Sequence, residues 1–208
     1  MAKGAVPADA GSLWLAALQH AVARASHDVK DALNGVSVNL EVVRSRASRP
    51  DAPASAVATF ADAAAQQLER LSSLMDAVLA LGRAERDPVD VGVTLRRIAA
   101  LCGASSAAAD SGVTVRDGSD GESRTRVSGD VVRLALAAPL LDAVVGVKGG
   151  PRAADVACDL TGEPDALVVR MYADRPIRMP SHVAATLRAA GVQWTEASHD
   201  LSLVFPRA

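Results

Sequence analysis

Aromatic residues are scarce in this chain of 208 residues: two tryptophans, two phenylalanines and one tyrosine, 2% in all. Platforms on which bases stack need such rings, and a nucleic-acid surface also needs an excess of positive charge. The formal net charge of -2 supplies none, so no nucleic-acid partner is expected. Cysteine is scarcer still. Cys102 and Cys158 are too few and too isolated for a disulfide framework or a zinc site, and both read as small buried hydrophobes. No run of about 20 apolar residues exists to cross a bilayer, since Pro139 and Asp142 interrupt the nearest candidate, Leu134 to Val147. Lys3 is followed by Pro7 and Asp9 before any apolar stretch, which does not read as a signal peptide. The expectation is a soluble, cytoplasmic protein with no membrane partner.

What is abundant is alanine and valine, within a hydrophobic fraction of 50%. Small side chains in that quantity suit helices that pack closely. Between Gly11 and Ala47 there is no proline, and Val22, Val29, Val36 and Val43 recur every seven residues. Ser26, Leu33, Leu40 and Ala47 follow each by four, a helical 4-3 seam over three heptads. Pro50 and Pro53 then break the helix. A second seam runs to about Arg86, with Val57, Ala64, Leu71 and Val78 in one column and Ala61, Leu68, Met75 and Gly82 in the other. Two long helices on a short loop pack antiparallel. Leu18, Val42, Leu74 and Leu81 flank the seams and also need cover. A second copy supplies it economically, as a two-fold symmetric four-helix bundle, and the alternative is cover from the rest of the same chain.

Beyond Pro88 the texture changes. Val91 to Ala109 reads as a helix, Gly112 to Arg116 as a strand, Asp117 to Arg124 as a loop and Asp130 to Val147 as a helix. Ala154 to Leu160 and Ala166 to Tyr172 read as strands of a hairpin turning at Gly162-Glu163-Pro164-Asp165. Ser181 to Ala190 reads as a helix closed by Gly191, and Val192 to Thr195 and Leu201 to Phe205 as a last strand pair. The expected class is α plus α/β: a tail over 1–10, a dimerising helical hairpin over 11–87, and a small α/β sandwich over 88–208.

The chemistry-bearing run is Ser26-His27-Asp28-Val29-Lys30-Asp31-Ala32-Leu33-Asn34. Lys30 and Asp31 lie three and four residues after His27 and share its helical face. Imidazole is a competent nucleophile near neutral pH. A carboxylate can orient the ring or take its proton, and an ammonium can steady transferred negative charge. By themselves such residues are most often a solvated helix face. His20, one heptad earlier, lacks an acidic neighbour and reads as incidental.

The run His27 to Asn34 resembles the H-box of sensor histidine kinases, and Leu68 to Glu85 resembles the second helix of their dimerisation and phosphotransfer domain. Pro88-Val89-Asp90-Val91 is similar to the start of their ATP-binding domain. The resemblance implies that His27 is the phosphoacceptor, Asp28 the adjacent acid and Lys30 the basic partner. Two positions depart from the pattern: Ala32 stands where the family has proline, which implies a helix without a proline kink, and Asp31 stands where it has a small polar residue. A carboxylate at 31 puts family-type phosphatase chemistry in doubt.

The same resemblance implies ATP-binding motifs in the second half, and the residues disagree. No asparagine occurs in Pro139 to Val145, where the N-box would fall, and Asp142 there reads as a surface residue. Asp174-Arg175-Pro176 stands where an aspartate followed by glycines reads the adenine, and no glycine-rich lid follows. Close approach of backbone to phosphate needs those glycines. The chain therefore resembles histidine phosphotransferases built on a kinase scaffold, with a degenerate ATP-binding domain. That implies a phosphorelay intermediate with no cofactor of its own. Its partners would be a response-regulator receiver domain, which brings the Mg²⁺, and an upstream histidine kinase. The alternatives are an atypical kinase that still binds ATP, and a non-catalytic dimeric scaffold for a response regulator.

Overall fold

A computed structural model describes residues 10–49, 53–82, 88–104, 112–119, 121–145 and 155–208. Within its helices, the side chains of residues 16, 20, 21, 23–25, 27, 28, 80, 103, 104 and 145 are not described. Helix α1, Ala10–Ala47, and helix α2, Ser55–Leu81, form the expected antiparallel hairpin. α1 is one uninterrupted helix through Ala32. The closed end is tied by Arg46, whose guanidinium donates to the Ala56 carbonyl at 3.1 Å and lies 4.6 Å from the centre of the Phe60 ring. Arg44 and Arg46 also place positive charge at the carbonyl end of α1.

The two seams divide in space. Val29, Val36 and Val43 on α1 face inward, half-buried, opposite buried Ala64 and Leu71 on α2. Leu33 and Leu40, with Leu68 and Met75, stay exposed. Leu74 and Leu81, expected to need a second copy, are 4% and 1% exposed because the C-terminal half of the same chain covers them. This in-chain cover was the alternative; it accounts for those two leucines and leaves the exposed columns open.

The second half starts with β1 (Val89–Asp90) and α3 (Val91–Ala104), and the 105–109 portion of the expected helix lies outside the described residues. Asp90 caps α3, its carboxylate accepting from the Val93 amide at 2.8 Å and the Ser123 hydroxyl at 2.6 Å. β2 is Val113–Gly118, so Asp117 and Gly118, expected in a loop, continue the strand by pairing with Leu160 and Thr161. β3 (Arg124–Thr125) pairs with β1, and α4 is Gly129–Val145. β4 (Val156–Gly162) and β5 (Ala166–Ala173) form the expected hairpin. α5 (Ser181–Ala189), β6 (Gln193–Glu196) and β7 (Asp200–Pro206) complete the chain. Gly191, at φ +80°, turns the chain out of α5 in the conformation that glycine favours.

The five-stranded sheet runs β2-β4-β5-β7-β6, parallel only between β2 and β4. Register aligns Cys158 with Met171 and Leu201, and Leu160 with Val169 and Leu203. All six are buried, under the helices. On the opposite face Arg116, Arg170, Tyr172 and Thr195 are exposed, while Val168 is buried. One sheet with a helical layer on one face is the two-layer α+β arrangement expected from the mixed pattern. Every residue from Val131 to Leu141 of α4 is buried, and the helix runs through Pro139. Among the described residues no helix is long and apolar enough to cross a membrane.

Candidate functional site

Position 27 lies in the middle of α1, more than four turns from either end. The side chains of His27, Asp28 and His20 lie outside the described residues, so the expected grouping of imidazole, acid and ammonium is located by its backbone alone. The described polar neighbours stand clear of the fold. Ser26 is exposed, its hydroxyl turned back onto the Val22 carbonyl at 2.9 Å. Lys30 and Asp31 are exposed, and so are Asn34, Val38 and Glu41 further along the same stripe. Val38, 63% exposed, puts an apolar spot on an otherwise polar strip. The heptad reading passed over Val38 because it belongs to neither seam.

The two segments singled out for nucleotide motifs are built differently. Leu140 and Leu141 are buried, while Asp142 is on the surface as expected. Asp174 and Arg175 form a half-exposed pair at 3.8 Å. Directly after them Ile177 and Met179, 1% and 7% exposed, turn into the core beside Val183 and Leu187 of α5. Glu196 fixes this segment from β6, its carboxylate accepting from the Met179 amide at 3.0 Å and the Arg178 guanidinium at 3.1 Å. The sequence hint was the apolar-polar alternation Ile177-Arg178-Met179 just ahead of a helix.

A shallow cavity of about 530 Å³ lies elsewhere, between α2, α3 and the edge strand β2. Leu74, Ala99, Val113 and Val115 line it, with Arg70 and Arg96 also in its wall. Arg96 is held by Asp117 at 2.6 Å. Partial burial pushes the Asp117 carboxyl up, but the Ser119 hydroxyl and amide and the Arg96 guanidinium outweigh it and hold it below the usual carboxylate range. Burial pushes the thiols of Cys102 and Cys158 up to about 12, with added repulsion from Cys158 on Cys102 and from Asp159 on Cys158. Both are buried hydrophobes, as their isolation implied.

No family model and no curated protein matches the chain. Among solved structures it is similar in arrangement to a histidine kinase of Acinetobacter baumannii, AdeS, at 10% identity over 88% of this chain and 97% of that one, with a TM-score of 0.41. The histidine kinase domain of a blue-light activated kinase from Erythrobacter litoralis is 13% identical over 91% and 94% of the two chains, with a TM-score of 0.43. A bacterial phosphotransferase is 14% identical over 96% and 99%, with a TM-score of 0.39.

Proposed function

We propose that this chain is a histidine phosphotransferase of a two-component phosphorelay, with His27 as the carrier. The observation that carries the reading is the exposed stripe on α1: Lys30, Asp31, Asn34, Val38 and Glu41 are all open to a second protein. An imidazole nitrogen of His27 attacks the phosphorus of an aspartyl phosphate on one receiver domain, or of a phosphohistidine on a kinase. The new P–N bond forms as the bond to the donor breaks, the donor leaves as carboxylate or imidazole, and the ring gives up the proton on its other nitrogen. Asp28 is the adjacent acid that takes or orients that proton, and Lys30 the cation that steadies the phosphoryl charge. The reverse step delivers the group to the aspartate of a second receiver, which holds the Mg²⁺. The exposed columns of Leu33, Leu40, Leu68 and Met75 support a homodimer, in which two hairpins close a four-helix bundle.

The packing of Ile177 and Met179 into the core favours relay over ATP-dependent kinase activity, because a nucleotide cavity there would have to displace them. Incubation with a receiver domain phosphorylated on its aspartate tests the reading. Acid-labile, alkali-stable label is expected on the wild type and none on His27→Ala, whereas label that persists in His27→Ala overturns the assignment. Saturable micromolar binding of an ATP analogue would instead support a kinase.

A further inference from the structure

α1 has 38 residues and α2 has 27. Their register is set by Asn39, which donates to Gln67 at 3.4 Å, and by Arg46 over Phe60. Continued antiparallel, it brings the end of α2 at Leu81 opposite roughly residue 25 of α1, so the first three to four turns of α1 overhang. The overhang is packed against the second half. Trp14 is 6% exposed, and Ala10, Leu13, Ala17 and Leu18 pack against the same core. Arg133 of α4, only 3% exposed, places its guanidinium 5.9 Å from the centre of the Trp14 ring and pairs with Asp130 at 3.0 Å. Apart from Arg133, α4 is apolar and buried on every side from Val131 to Leu141, and it needs cover on the side away from the sheet. The overhang provides part of that cover.

We propose that the α1 overhang is a latch, with Trp14 as its bolt, that holds the α/β half and the hairpin as one rigid body. Trp14 lies 13 residues before position 27, roughly 20 Å along the helix axis. A latched α/β half is fixed relative to position 27 and does not swing toward it, so the phosphoryl group on His27 is exchanged only with other proteins. That consequence rests on the proposed relay function; the latch itself does not.

The test is a distance measurement between spin labels at Ser37→Cys on α1 and Thr195→Cys on β6, both exposed positions, in full-length protein diluted with unlabelled protein. Cys102 and Cys158 are buried, with thiols pushed up to about 12, and leave the labels specific. One narrow distance is expected, unchanged by ATP or by a receiver domain. Trp14→Ala is expected to broaden it and to speed hydrogen exchange in α4 at least about tenfold, while Trp14→Phe keeps it narrow. If Trp14→Ala does not fold, Leu13→Ala carries the same expectation of broadening. A broad or two-peaked wild-type distribution overturns the latch, and so does a truncation that leaves distance and exchange as in the wild type. Because label transfer is read separately, a broad distance with His27-dependent label rejects the latch alone. A narrow distance without label rejects the relay alone.

Discussion

Leu68→Glu should turn the proposed dimer into a monomer while leaving each chain folded. Leu33, Leu40, Leu68 and Met75 are 46%, 53%, 53% and 54% exposed, so each keeps about half its surface in water. Full burial of such a side chain is worth roughly 1.5–3 kcal/mol, so the remaining half is worth about 1 kcal/mol. Two-fold symmetry presents each residue twice, giving about 8 kcal/mol across the interface before the cost of association is subtracted. The substitution removes about 2 kcal/mol of that. It also sets two carboxylates inside the bundle, each costing several kcal/mol to desolvate. The combined loss exceeds about 4 kcal/mol, a weakening of more than about 10³-fold. Position 68 is already half-exposed within one chain, so the thermal unfolding of the isolated fold should barely move. Sedimentation equilibrium across a hundredfold range of concentration reads the outcome. A wild type that is monomeric throughout, or a Leu68→Glu variant as dimeric as the wild type, would refute the reasoning.

Two further substitutions probe the second half. Asp117→Asn should lower stability at pH 7 by about 1 kcal/mol, the scale of a partly exposed ion pair with its hydrogen bonds. The folded carboxyl titrates below its unfolded value of about 3.9, so its contribution is complete above that pH and is lost as pH falls through the lower folded value. Denaturant midpoints between pH 2 and 7 should therefore fall more steeply in acid for the wild type than for the variant, and parallel curves would contradict this. Ile177→Ala should cost about 2–4 kcal/mol, as expected for truncating a side chain that is 1% exposed, and a cost below about 1 kcal/mol in urea unfolding would show that this segment is not core.

The helical hairpin was legible because its columns repeat every seven residues, and Pro50 and Pro53 mark where it turns. The strand hairpin at Gly162 to Asp165 was legible from turn chemistry, and Gly191 from the left-handed position that ends α5. Periodicity could not say which column meets what. Leu74 and Leu68 both sit on apolar stripes, yet one is covered by α3 and the other faces water, a tertiary choice no local pattern encodes. The extension of β2 through Asp117 was hidden by polar residues. Asp117 and Gly118 pair with β4 through their backbone while the Asp117 carboxylate accepts from Arg96 and Ser119. At position 27, spacing offered a plausible trio, and resemblance alone supplied the phosphoryl chemistry.

The two halves of the chain bear on each other through α4. A helix buried on every side needs a cover with no polar demands of its own, and the overhang of α1 meets it with Leu13, Trp14 and Ala17. Arg133, a charge admitted there, is oriented by Asp130 and shielded by the indole face. With α1 committed to α4 at one end and to α2 along the rest, the surface it leaves free is limited. Among the described residues it includes the stripe after position 27 and the columns of Leu33 and Leu40. The polar stripe suits a transient protein partner, and the apolar columns suit a permanent one. A carrier that must exchange a group with one protein after another needs both. It requires a fixed dimer core and an accessible face whose complexes dissociate, and under the proposed function helix α1 would supply the two on adjacent sides of a single element.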